Sequence, residues 1–369
     1  MSKGVTQVIA LLSAFSNYSN SSLSHIKVVR NFDQTNKPSL HIYTMMLHCR
    51  QGSRCLRNLF VIIVVGGVAA QVFARHNELD LNERPIIGIL TQEYIGKPWD
   101  QIPYIAASYV KFVESGGARV VPVHINRDRE YYENIVSQLN GVLFPGGDAD
   151  VHDSGYGRAG RLIYEYAREH NKANDYFPLW GTCNGFEMLV YLSVDDYVLK
   201  RCDSKNQAQP LLSLQTVGSR LFGSGMTPDV ADYLTNMNTT VNFHEWCLTP
   251  ENFTERGVNR MYNSLAEGKD NKDLRFIAAI EAKAFPFYGV QFHPEKTLFE
   301  WTIKQSCENI PHTSEATRVS QYFAEFFVNE ARKSKHRMSE DQFSREAIYN
   351  NAPQYTQNQS VFTQIYFFN

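Results

Sequence analysis

Between residues 85 and 183 short apolar runs alternate with amphipathic stretches, a rhythm that few folds accept. PIIGILTQ (85–92), ARVVPVHI (118–125), GVLFPGG (141–147) and YFPLWGTC (176–183) read as strands. Each is apolar without strict alternation, as in strands covered on both faces. The stretches 102–117, 129–140 and 160–175 read as helices, the first closed by a glycine pair. Buried strands separated by helices predict an α/β three-layer sandwich around a mostly parallel central sheet. After residue 238 the pattern changes. Segments 239–249, 275–283 and 285–292 are closely spaced strands that extend or flank that sheet. Residues 314–333 form a long amphipathic helix and 360–369 a final strand, with no repeat or linker between.

The N-terminal part is of another kind. LFVIIVVGGVAAQVFA (59–74) follows Arg50, Arg54 and Arg57. Its apolar core is about a dozen residues, short of the roughly 20 that span a bilayer. Basic flank, short apolar run and small residues describe a secretory signal peptide over 45–74, with Met45 or Met46 as its start. Residues 1–44, rich in Ser and Asn, then form a disordered upstream extension. Residues 75–369 form one domain with no stable membrane anchor once the signal is cleaved. Asn238, Asn252 and Asn358 each open a glycosylation acceptor triplet, in keeping with that route. The balance of 36 basic and 38 acidic side chains provides no field for nucleic acid. Of six cysteines, Cys183, Cys202, Cys247 and Cys307 follow the signal. If Cys183 is a working thiol, one of the other three is unpaired or pairs between chains.

In an open α/β sheet, ligands bind beyond the carboxyl ends of the strands. Gly146 and Gly147, Cys183, and His293 all fall there. Gly181-Thr-Cys-Asn-Gly185 has the form of a nucleophile elbow with cysteine in place of serine. A thiol of pKa about 8.5 is only a few per cent ionised at neutral pH. A helix N-terminus contributes about 0.3–1 kcal/mol towards the thiolate, so an imidazolium from His293 is expected to supply the rest. His293 would also serve as general acid and base, with Glu295 orienting its ring. The backbone N–H groups of Gly147 and Asn184 are the candidate oxyanion donors. Lys296 is placed to attract a substrate carboxylate.

LFPGGDADV, WGTCNGFE, NFHEWCLT and GVQFHPEK together resemble the γ-glutamyl hydrolases, secreted or lysosomal relatives of the class I glutamine amidotransferases. The resemblance runs from about Arg84 to the C-terminus. It implies a class I glutamine amidotransferase-like (flavodoxin-like) sandwich and cleavage of folylpoly-γ-glutamates through a cysteine acyl-enzyme, without metal or organic cofactor. It makes Cys183 the nucleophile and His293 its acid/base partner. It further implies active-site positions for Tyr109, Glu187, His244 and Gln291, and a homodimer. Asn184 departs from the apolar residue expected beside the nucleophile. Two other readings compete: a glutaminase subunit releasing ammonia, and a secreted folate-binding protein without turnover.

Overall fold

The computed structural model describes residues 81–357 and 359–368. The upstream extension, the signal peptide and Asn358 lie outside the described residues.

From the N-terminal side the elements run β1 (Ile86–Leu90), β2 (Gln92–Glu93), β3 (Pro103–Ala106), α1 (Ala107–Ser115), β4 (Arg119–Val123), α2 (Arg129–Val136) and β5 (Val142–Phe144). Next come α3 (Gly155–Lys172), β6 (Leu179–Thr182), α4 (Asn184–Val194), β7 (Lys200–Gln209), α5 (Pro228–Asn236), β8 (Thr240–Cys247) and α6 (Pro250–Glu255). The chain continues through β9 (Tyr262–Lys269), β10 (Arg275–Ala282), β11 (Phe287–Val290), α7 (Pro294–Phe299), α8 (Ser314–Ala331), α9 (Glu340–Glu346), β12 (Gln354–Tyr355) and β13 (Gln364–Phe367).

Seven strands form the central sheet in the order β4-β1-β5-β6-β11-β10-β9. The pairs from β4 to β11 are parallel, and β10 runs antiparallel to both neighbours. Alternate residues of one strand enter different cores. Ile86 and Leu90 pack with residues of α2, α3 and α4, whereas Ile87 and Ile89 pack with residues of α1 and α8. Both faces are thus covered, which is why these strands lack the alternation of a half-exposed sheet. The three-layer α/β sandwich is the expected one.

Local differences have physical causes. The helix expected over 102–117 begins only at Ala107, because Pro103–Ala106 pairs with β2 and β13 in a small antiparallel sheet. Helix α3 starts five residues before the expected Gly160. Ser154 accepts the Gly157 N–H, and the Glu93 carboxylate accepts those of Gly155 and Tyr156. Strands β10 and β11 extend the central sheet, but β8 pairs with β7 in a separate ribbon. A disulfide joins Cys202 to Cys247 across that ribbon, and Cys183 and Cys307 are free and buried.

Candidate active site

The register of adjacent strands brings the motifs together. Phe144 of β5 pairs with Gly181 of β6, and Val290 of β11 pairs with Thr182. The carboxyl ends of β5, β6 and β11 therefore deliver the Gly146-Gly147 loop, Cys183 and His293 to one edge. The Cys183 N–H donates to Val290 O at 2.9 Å, tying the elbow to the strand that carries the histidine.

Cys183 sits at the N-cap of α4 with φ 51° and ψ −107°. A non-glycine residue held there stores about 1–3 kcal/mol of strain, which the flanking packing has to sustain. The flanking glycines meet a different need, close approach. A Cβ on Gly181 would run into Gly185 O, and one on Gly185 into Phe144 O. Gly146 is the third such position. Its Cβ would stand 2.6 Å from Tyr109 Oη, 2.9 Å from His293 Cε1 and 3.1 Å from Cys183 Cβ. Tyrosine, imidazole and cysteine thus close around a single glycine.

His293 precedes α7, whose first residue is Pro294. That short helix turns Glu295 back, so that His293 Nδ1 lies 2.8 Å from Glu295 Oε1. A carboxylate can only accept, so Nδ1 carries the hydrogen and Nε2 presents its lone pair. Nε2 is buried and has no hydrogen-bond partner among the described residues. Tyr109 Oη accepts the Gly146 N–H at 2.8 Å and lies 3.4 Å from His293 Nδ1.

The electrostatics differ from the expected thiolate–imidazolium pair. Burial pushes the Cys183 thiol well up, and the charges of Glu187, Asp148 and Glu295 push the same way against Lys296. Burial likewise lowers His293, against the pull of Glu295. Burial would raise the Glu295 carboxyl, but His293, by charge and hydrogen bond, holds it below the usual glutamate range. Burial therefore works against charge on both Cys183 and His293, and the Glu295 carboxylate is what favours an imidazolium. A helix terminus worth under 1 kcal/mol cannot offset burial of the sulfur among three acidic side chains. Such a site can still do nucleophilic chemistry, with the thiol proton passing to Nε2 as sulfur attacks.

Glu187 and Gln291 form a second polar pair. Gln291 Nε2 donates to Glu187 Oε1 at 3.1 Å, leaving Gln291 Oε1 buried without a partner. Burial raises Glu187 to about 8, opposed by Gln291 and assisted by Asp148. Asn184 directs its side chain at the loop after β5, donating to Ala149 O at 2.8 Å. Among the described residues no acceptor takes the N–H of Gly147 or of Asn184, so both remain free for an oxyanion. Gln92 escaped the sequence reading. Its Nε2 donates to Gly146 O at 2.8 Å, its Oε1 is buried without a partner, and a Cβ on Gly147 would collide with it. The available signal was the pair Gln92-Glu93 at the carboxyl end of a buried strand.

The remaining candidates are placed differently. His244 Nδ1 lies 2.9 Å from Trp246 O and Nε2 3.2 Å from Asn242 Oδ1, two acceptors of which a neutral ring can satisfy one. Burial lowers it to about 3, so the ring is neutral, with Nδ1–H bound to Trp246 O and the Nε2 lone pair facing Asn242. Lys296 is buried, with Nζ 4.5 Å from the Phe362 ring centre and 5.1 Å from that of Phe243. Its charge reaches the site from inside an aromatic cage. Asn238 is exposed, whereas the half-buried Asn252 donates its side-chain amide to Val198 O at 2.5 Å.

Residues 85–295 match the family model of peptidase C26. The chain is 38% identical to the γ-glutamyl hydrolase of Homo sapiens over 319 residues, 85% of this chain and 98% of the other. It is 41% identical to that of Mus musculus over 291 residues, 78% of this chain and 90% of the relative. Identity to γ-glutamyl hydrolase B of Dictyostelium discoideum is 38% over 298 residues, 78% and 84% of the two chains. With an elbow cysteine, an adjacent histidine and a matched length of this extent, the chain belongs to the γ-glutamyl hydrolase family of C26 peptidases.

Proposed function

We propose that the protein is a cysteine hydrolase that cleaves the γ-glutamyl bonds of folylpoly-γ-glutamates, with Cys183 as nucleophile and His293 as acid/base. The observation that carries this reading is the His293 ring, held by Glu295 at Nδ1 and open at Nε2, closing on Gly146 together with Cys183. In the first half-reaction the sulfur attacks the γ-carbonyl carbon while its proton moves to Nε2. The Gly147 and Asn184 N–H groups receive the oxyanion. The C–N bond then breaks, the leaving amine takes the proton from His293, and a thioester remains. Water, deprotonated by the same nitrogen, attacks the thioester and returns the thiol.

The lowered His293 supports work in acid, since the base stays unprotonated below the pH at which an ordinary histidine charges. That accords with a route through the secretory pathway to the lysosome or outside the cell, read from residues 45–74. On this reading residues 75–369 are the mature domain and act as a homodimer. The test is product analysis of pteroylpenta-γ-glutamate near pH 5 with the wild type and Cys183→Ala side by side. Shortened folates from the wild type alone support the assignment. Intact substrate that binds without turnover would favour a binding protein, and activity surviving in the variant would place the nucleophile elsewhere.

A further inference from the structure

At the end of β6 remote from Cys183, three side chains from separate parts of the chain meet without a role in the chemistry above. His170 belongs to the last turn of α3, Asp175 to the turn before β6, and His336 to the segment after α8. Their donor atoms all lie within 4.8 Å of one another. His170 Nδ1 is 2.7 Å and His336 Nε2 is 2.8 Å from the same oxygen, Asp175 Oδ2.

The hydrogen-bond pattern constrains what lies between them. His336 Nδ1 is 2.9 Å from Val136 O, and a carbonyl oxygen can only accept, so Nδ1 carries the hydrogen. In the neutral ring the Nε2 lone pair then faces a carboxylate lone pair at hydrogen-bond distance. Something must lie between the two: a second proton on the ring, a proton on the carboxyl, or a metal ion. The carbonyl on the remote nitrogen is the partner that metal-bound imidazoles require to fix their tautomer.

The surroundings are rigid. Asp175 N–H donates to His170 O at 2.9 Å, and the Asn171 side chain pairs with the backbone of Phe177 at 2.7 and 3.1 Å. Asn140 Nδ2 donates to His336 O at 2.9 Å. The Phe177 ring lies against both imidazoles and closes one side, while Asp175 is partly open to solvent on the other.

We propose that His170, Asp175 and His336 form a binding site for a divalent metal ion of the zinc type, clamping the segment after α8 to the turn before the nucleophile strand. Two imidazoles and one carboxylate suit such an ion, with an open position left for water. Donors at 2.0–2.2 Å from zinc stand about 3.3 Å apart, so each present gap opens by roughly half an ångström on loading. The second sulfur-containing cluster, Cys202, His244 and Cys247, offers no thiolate because its cysteines are bridged.

The experiment uses the Cys183→Ala chain, so that the elbow thiol cannot bind the probe. Zn2+ is titrated calorimetrically at neutral pH, and Co2+ is added in parallel to read the visible band of a low-symmetry site. The expected result is one ion per chain and a raised thermal midpoint. Asp175→Asn and His336→Gln should weaken binding about 100-fold or more. His170→Ala, at the most solvent-open of the two imidazoles, keeps the fold testable and should weaken it about tenfold or more. Absence of saturable Zn2+ binding by the folded chain would overturn the proposal and leave a hydrogen-bonded His–Asp–His cluster. Binding that survives all three substitutions would overturn it equally.

Discussion

Ionising a carboxyl buried beside a thiol is costly, and Glu187 carries that cost. Raised to about 8, it keeps its proton in the folded chain over a range in which the unfolded chain has lost it. Its contribution is therefore fully present below the ordinary glutamate value and is lost as pH rises from there to about 8. Allowing for partial exposure, the loss amounts to about 3 kcal/mol. Urea midpoints should fall between pH 5 and pH 8 in the wild type and change much less in Glu187→Gln; parallel curves would show that Glu187 does not titrate with folding. Asn184 is the second residue with a measurable consequence. Its amide holds Ala149 O, and Asn184→Leu should cost about 1 kcal/mol of loop order, a several-fold loss in kcat/KM with little change in thermal midpoint. An unchanged kcat/KM would show that the loop is held without it. The meeting of Cys183 and His293 was legible because strand ends and glycines fix where they go, whereas Pro294 left the direction of Glu295 open until α7 was seen to turn it back. The upward push on the thiol was not legible, because it comes from burial among Glu187, Asp148 and Glu295, which belong to separate segments.

At the level of elements, the β7–β8 ribbon depends on a single covalent link. Cys202 and Cys247 are separated by 45 positions, and closing a loop of that length removes entropy worth about 4 kcal/mol from the unfolded chain. The double variant Cys202→Ser/Cys247→Ser should lose about 2–4 kcal/mol in denaturant unfolding. Because β8 also holds His244 and receives the His293 N–H at Val241 O, kcat/KM should fall as well. Stability unchanged within error would mean that the ribbon is held by its strand pairing alone. The same scale separates the acceptor asparagines. Peptide mapping of protein expressed through a secretory pathway should find glycan on the exposed Asn238 and none on Asn252, whose amide donates to Val198 O from within α6. Neither the bridge nor this difference was legible. Triplets and cysteine counts carry no register, and β7 has the polar composition of a surface ribbon rather than a core strand. Strand β3 was hidden for the opposite reason: its apolar residues run on without a break into those of α1, and only pairing with distant β13 sets them apart.

The architecture of the whole molecule was readable to the extent that its order follows the chain. Strands β1, β4, β5 and β6 are each separated by a helix, and their apolar runs announce a covered parallel sheet. What no local pattern could show is that β11, more than a hundred residues later, inserts beside β6 and completes the site. The last strand closes the molecule in the same long-range manner. Strand β13 lies between β12 and β3, and β3 leads directly into α1, which carries Tyr109. Phe362, Ile365 and Phe368 are all buried, and Phe362 forms one wall of the Lys296 cage. At about 1.5–3 kcal/mol for each buried side chain, removing residues 360–369 forfeits much of the 5–15 kcal/mol that holds a typical protein together. The truncated chain should fail to fold. Ile365→Ala is the milder test, with an expected cost of about 2–5 kcal/mol. Its thermal midpoint should fall, with kcat/KM measured below the transition falling alongside as β3 loosens and Tyr109 shifts. An Ile365→Ala protein as stable as the wild type would show that the closing strand is peripheral. A destabilised variant of full activity would show that the Tyr109 helix is positioned without β13.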